Sequence, residues 1–112
     1  MEFTYPLMAN ADELRDANPW HPMSDAVDLK HLGKLAEELS EAGAAVARCI
    51  IQGIDEAEPV TGKINREWLQ DELADVIANI GLVVDRFKLD KMAMVHREMR
   101  KKQHLRQWHD LA

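Results

Sequence analysis

Two short strings of carboxylates stand out by residue type and spacing: Glu37-Glu38-Leu39-Ser40-Glu41 and Glu72-Leu73-Ala74-Asp75. Glu38 and Glu41 are i and i+3, as are Glu72 and Asp75, so on helices each pair projects from one face about one turn apart. Like charges placed this way repel, by about 0.2–0.5 kcal/mol per pair. A hard divalent cation reverses the sign, because Mg²⁺ takes oxygen ligands and is held by a few carboxylates together with water and substrate phosphates. A single pair of this kind is ordinarily a solvated helix face. Two pairs on consecutive helices, the second followed one turn later by Asn79, weaken that reading and leave a solvated acidic face and a cation site both open. Zinc is a poor fit, since His31, His96, His104 and His109 show no ligand spacing joined to cysteine. Cys49 has no neighbouring features of a nucleophile and reads as a buried small residue.

The elements that must position these groups are helical. Ser24 and Asp25 are N-cap candidates, and apolar residues then recur at Leu32, Leu35, Leu39, Ala42, Val46 and Ile50 until Gly53 stops the helix. Gly33 and Gly43 fall inside it, where a close helix contact would explain them. Residues 54–63 are rich in turn formers and predict a loop. Asn65 is the expected cap of a second helix through Phe87, with Leu69, Leu73, Val76, Ile77, Ile80, Val83 and Val84 inward. Asp90 caps a third, from Lys91 to about His109, with Met92, Val95, Met99 and Trp108 toward the core. A short helix over 10–17 precedes the Pro19 and Pro22 loop. With no strand signal, the expectation is an all-α antiparallel helical bundle: one domain over 1–112, with 1–23 an N-terminal extension.

Composition narrows the function. A chain of 112 residues has room for one domain and a modest core, so a homodimer or homotetramer is expected. The single cysteine, the lack of an apolar run near the roughly 20 residues a bilayer needs, and the absence of a signal-like start predict a cytoplasmic protein. Residues 1–87 carry 7 Lys/Arg against 17 Asp/Glu, whereas 88–112 carry 7 against 3. An acidic body argues against binding a nucleic-acid polymer over a broad face and suits a meeting of divalent cations with a polyphosphate.

The pattern Glu37-Glu38-x-x-Glu41 followed by Glu72-x-x-Asp75 resembles the EExxE…ExxD signature of the all-α NTP pyrophosphohydrolase superfamily, which includes MazG proteins, dimeric dUTPases, dCTP pyrophosphatases and phosphoribosyl-ATP pyrophosphohydrolase. The likeness covers residues 20–102, with one departure. The 30 residues between Glu41 and Glu72 slightly exceed the usual spacing, and the extra length falls in the 54–63 loop. The resemblance implies a MazG-like bundle whose site is completed in a homo-oligomer and which cleaves a (deoxy)nucleoside triphosphate between its α and β phosphates, giving NMP and pyrophosphate.

Carried over residue by residue, the resemblance makes Glu38, Glu41, Glu72 and Asp75 ligands of Mg²⁺, for which Mn²⁺ can substitute. Glu38 is also the group that orients or deprotonates the attacking water, with Glu37 in support. Asn79 is a candidate for a sugar hydroxyl or an α-phosphate oxygen. Lys34, Arg97, Lys101 and Lys102 are candidates for the β and γ phosphates. Trp68, or Trp20 with His21, could stack on the base, although core packing is the stronger alternative for Trp68. Two other functions stay open: hydrolysis of another nucleotide such as phosphoribosyl-ATP, and a non-catalytic helical protein whose acidic face binds a basic partner.

Overall fold

Asp25 starts the first helix. In the computed structural model, which describes residues 17–111, its carboxylate accepts from the Val27 and Asp28 amides, both at 2.9 Å. Helix α1 then runs Ala26–Gln52 and ends where Gly53 takes φ 106°, a value that L side chains rarely adopt. The expected helix over 10–17 lies, except for Ala17, outside the described residues. Among those residues there is no strand, only a bridge between Ala57 and Ile64.

The 54–63 segment is bonded to itself. The Glu58 carboxylate accepts from the Val60 amide at 3.1 Å and from the Thr61 amide and hydroxyl at 2.8 Å each, while the Glu58 amide donates to Lys63 O at 2.8 Å. Helix α2, Asn65–Phe87, follows, and its start corrects the sequence reading. Ile64, not Asn65, occupies the cap position, and no side chain caps it. Loop carbonyls do that work, with Asn65 N–H donating to Glu56 O at 3.0 Å and Arg66 N–H to Ile54 O at 2.8 Å. The Asn65 side chain turns to the other helix, and its Nδ2 donates to Gln52 Oε1 at 3.1 Å and Gly53 O at 3.0 Å. This residue is fully buried, 0 % exposed.

Helices α1 and α2 pack as an antiparallel hairpin. At its open end Arg86 reaches across, with Nε 2.8 Å from Asp28 Oδ1 and Nη2 3.3 Å from Asp25 Oδ1. The seam keeps Ala42, Val76, Val83 and Val84 of the expected inward set but is otherwise turned relative to it. Glu38, Ala42 and Ala45 of α1 are buried, against Val76, Val83 and Val84 of α2. Leu39, Val46, Ile50, Leu73, Ile77 and Ile80, all expected inward, are exposed, Ile50 to 79 % and Ile77 to 69 %. Small alanines on the buried face let the helices approach, and the larger aliphatics are displaced to the flanks. Gly33 and Gly43 have nothing near their Cα positions that a Cβ would meet, so no close contact explains them.

Lys88 closes α2 in the left-handed region at φ 51°, and Leu89 N–H donates to Val84 O at 3.0 Å. Helix α3, Lys91–Trp108, is capped by the Asp90 carboxylate accepting from Ala93 N–H at 3.0 Å. It packs broadly against neither other helix and buries no residue, so Met92, Val95, Met99 and Trp108 are exposed rather than in the core as expected. The radius of gyration, 21.0 Å, exceeds the roughly 13 Å of a compact chain this long. No described helix is long and apolar enough to cross a membrane.

Candidate metal centre

The antiparallel seam sets the second half of one motif against the first half of the other. Carboxylate oxygens of Glu38, Glu72 and Asp75 all lie within 4.8 Å of one another, with Glu38 buried, Glu72 half-buried and Asp75 exposed. Glu41 faces the same cluster: its carboxyl is held above the ordinary range, first by the charge of Glu38, then by burial and by the charges of Glu72 and Glu37. The fold therefore brings three of the four residues expected as ligands within reach of one another, with Glu41 exposed beside them and within range of their charge.

Their hydrogen bonding leaves specific gaps. Glu38 is 6 % exposed, and its Oε1 lies 3.3 Å from Lys34 Nζ. Its Oε2 is buried with no donor in reach, and so is Glu72 Oε2. A buried carboxylate oxygen without a partner is costly unless a cation or donor satisfies it. Two of them converging with a third carboxylate make an all-oxygen set of the kind that Mg²⁺ and Mn²⁺ take, so these residues fit a hard divalent ion. Lys34, half-exposed, spans Glu37 at 3.2 Å and Glu38, and those two bonds raise its pKa. One ammonium cannot neutralise four carboxylates.

On the open-end side of the cluster, Asn79 and Lys34 share a cleft of about 520 Å³ with Lys30, His31, Glu37 and Leu82. The Asn79 Nδ2 donates to Asp75 O at 2.8 Å, so this half of the amide is satisfied within its own helix. On the loop side stands Trp68, half-buried, with Lys63 Nζ 4.3 Å and Arg48 Cζ 5.5 Å from its ring centroid. The ring is thus lined by cations, and its Nε1 is buried without an acceptor. Trp20 is exposed. Arg97 and Lys101 line a groove with Ala93, Met94 and Glu98 in which α1 takes no part, so the single chain does not gather them with the carboxylates. Lys102 pairs along its own helix with Glu98 at 3.5 Å. Arg48 and Lys63 had no assigned role in the sequence; the signal for Arg48 is its place two turns after Glu41 on the same helical stripe.

Compared with known proteins, the chain matches no family model, no curated protein and no solved structure.

The raised Glu41 pKa fixes the sign of a pH effect. A carboxyl that ionises less readily in the folded chain means that the fold binds the proton more tightly than the unfolded chain does. Without metal, stability therefore falls as pH rises through the folded pKa and is regained below it. Thermal melts without divalent ions should show Glu41→Gln above wild type at neutral pH, the gap closing as pH falls through the Glu41 titration. A gap that stays constant, or a variant that melts lower throughout, would mean that Glu41 is not under the strain of its neighbours.

Proposed function

We propose that this chain is a Mg²⁺-dependent nucleoside triphosphate pyrophosphohydrolase of the MazG-like kind, acting in the cytoplasm as a homodimer or homotetramer. The observation that carries the reading is the convergence of both acidic motifs on one seam with two buried, donorless carboxylate oxygens. Glu38, Glu41, Glu72 and Asp75 hold the cation, which supplies charge neutralisation and Lewis acidity at the phosphates. Glu38 orients and deprotonates the water that attacks the α-phosphorus, and Glu37, fixed by Lys34, supports it. Attack breaks the bond from the α-phosphorus to its bridging oxygen, so that one NTP and one water give NMP and pyrophosphate. Asn79 and Lys34 line the cleft on the nucleoside side of the cut, which moves Lys34 away from the β and γ phosphates expected for it; Arg97 and Lys101 would reach those phosphates from the α3 of a second copy.

A panel of ribo- and deoxynucleoside triphosphates, assayed for NMP and pyrophosphate with and without Mg²⁺, tests the activity, with phosphoribosyl-ATP in the same panel. The exposed apolar rows of α3 and the hairpin flanks favour a second reading, a non-catalytic interaction protein. Absence of metal-dependent pyrophosphate release across the panel would leave that reading standing.

Assembly follows from the same rows. A core of Ala42, Ala45, Val76, Val83 and Val84 is small for a chain of this length, and apolar side chains such as Ile50, Ile51 and Ile77 stand in solvent on the single chain. A second copy covering them accounts for both facts. Light scattering should give a mass at least twice 12.8 kDa. A monomer that is fully active at micromolar concentration would contradict the assembly.

A further inference from the structure

Arg48 is half-buried, yet among the described residues no carboxylate lies within 4.0 Å of its guanidinium and no hydrogen-bond acceptor engages it. The neighbouring acid, Glu58, has its oxygens bonded to the Val60 and Thr61 amides and the Thr61 hydroxyl, and Arg48 acts on it only through its charge, which helps to lower the Glu58 pKa. The five donors of this guanidinium, held over an indole, are therefore left for a bound anion. Lys63 comes to the same ring from the loop, held at 2.6 Å by a single oxygen of exposed Asp71, which leaves its other donors free to turn. Two cations thus meet on Trp68, one helical turn before Glu72 and immediately on the loop side of the carboxylate cluster.

We propose that Arg48 and Lys63 form a polyphosphate-binding subsite over Trp68 that holds the distal phosphates of the substrate. The triphosphate then runs from the carboxylates toward the 53–64 loop, and the nucleoside occupies the cleft of Lys30, Lys34, Asn79 and Leu82 on the other side. The assignment rests on the pyrophosphohydrolase reading and deepens it in two ways. Charge for the leaving pyrophosphate comes from the chain that carries the carboxylates, beside any that the α3 of a second copy brings. The long connecting loop acts as a phosphate clamp rather than a reader of the base. The chemistry agrees, because a planar guanidinium engages two phosphate oxygens at once while an ammonium turns to a third.

The probe is inorganic tripolyphosphate, titrated calorimetrically in the presence of Mn²⁺ at fixed salt, alongside Mn²⁺ alone. Both titrations use the full chain carrying Trp20→Phe and Trp108→Phe, so that emission reports Trp68. Arg48→Ala should weaken tripolyphosphate at least about tenfold, with Arg48→Lys intermediate, while Mn²⁺ alone binds as before. Binding of the anion should change Trp68 emission in the parent and not in Arg48→Ala, a response that a merely structural role would not produce. Lys63→Gln, at a half-buried rim, gives the same direction of loss where Arg48→Ala fails to fold. Unchanged tripolyphosphate affinity in these variants, or a loss confined to Arg97→Ala with Lys101→Ala, overturns the subsite and leaves the metal reading intact. Failure of the parent to bind Mn²⁺ overturns the metal reading itself, and this assignment with it.

Discussion

Asp75→Asn and Glu72→Gln will keep the helical circular dichroism of the parent and lose turnover by about three orders of magnitude or more. Each change keeps the side-chain volume and removes one charge from the set that gathers around Glu38. Neutralising charge at a transferring phosphate is worth several kcal/mol, and each ~1.4 kcal/mol is a factor of ten in rate. Stability should move the opposite way. In the absence of divalent ions the parent holds mutually repelling carboxylates, one of them buried, so the amides should melt at the parent's temperature or above it. Mg²⁺ at about a hundred times its Kd should raise the parent's stability by about 2.7 kcal/mol and the variants' by much less. Paired melts with EDTA and with Mg²⁺, beside an activity assay, separate the effects. Wild-type turnover in either variant would remove the carboxylates from the chemistry, and equal stabilisation by Mg²⁺ would remove them from the metal.

Asn65→Ala should be the most damaging single change outside the carboxylates, by about 2–4 kcal/mol. The side chain is completely enclosed, and its amide satisfies both Gln52 Oε1 and the last carbonyl before the loop, Gly53 O. Truncation leaves the half-buried Gly53 O unpaired, frees the exposed Gln52 side chain, and opens a void where α1 turns toward α2. Asn65→Asp keeps the shape but sets a carboxylate against two acceptors, so it should be at least as harmful. Against the 5–15 kcal/mol of an ordinary domain, and with so small an apolar seam, the loss should appear as a large drop in urea midpoint at unchanged m-value. Protein concentration must be held fixed, since association contributes to the apparent stability. A midpoint within ~0.5 kcal/mol of wild type would show that the loop, not Asn65, holds this end of the hairpin.

Spacing alone made much of the site legible. Glu38, Glu41, Glu72 and Asp75 fall at i, i+3 on two helices, and any antiparallel pairing that faces those stripes must gather them. Caps that act within their own helix were equally readable: Asp25, Gly53 and Asp90 all stand where their chemistry suggests. Asn65 was not, because its amide can serve either the helix it begins or the one that precedes it, and only the folded loop decides. The phase of the seam was hidden for a related reason. Helix α1 is apolar over a wide arc, so periodicity picks out Ala42 together with the bulky Leu39, Val46 and Ile50, whereas close approach keeps Ala42 and adds Ala45 beside Glu38. Arg48 and Lys63 were invisible as partners, since nothing in local spacing says that a residue near the end of one helix meets a loop lysine over Trp68.

The two fastenings of the hairpin limit how it can move. Arg86 ties its open end to Asp25 and Asp28, and Asn65 ties its closed end to Gln52 and Gly53. Sliding one helix past the other by even a single turn would break both ties at once, so axial travel is blocked. What stays available is a bowing apart of the two rods midway along their length, where alanines give little adhesion and like charges push outward. The carboxylates sit at that midpoint. An ion admitted there would be met by a transverse, spring-like motion about two fixed pins, and its capture would draw the rods together without altering which residues face one another.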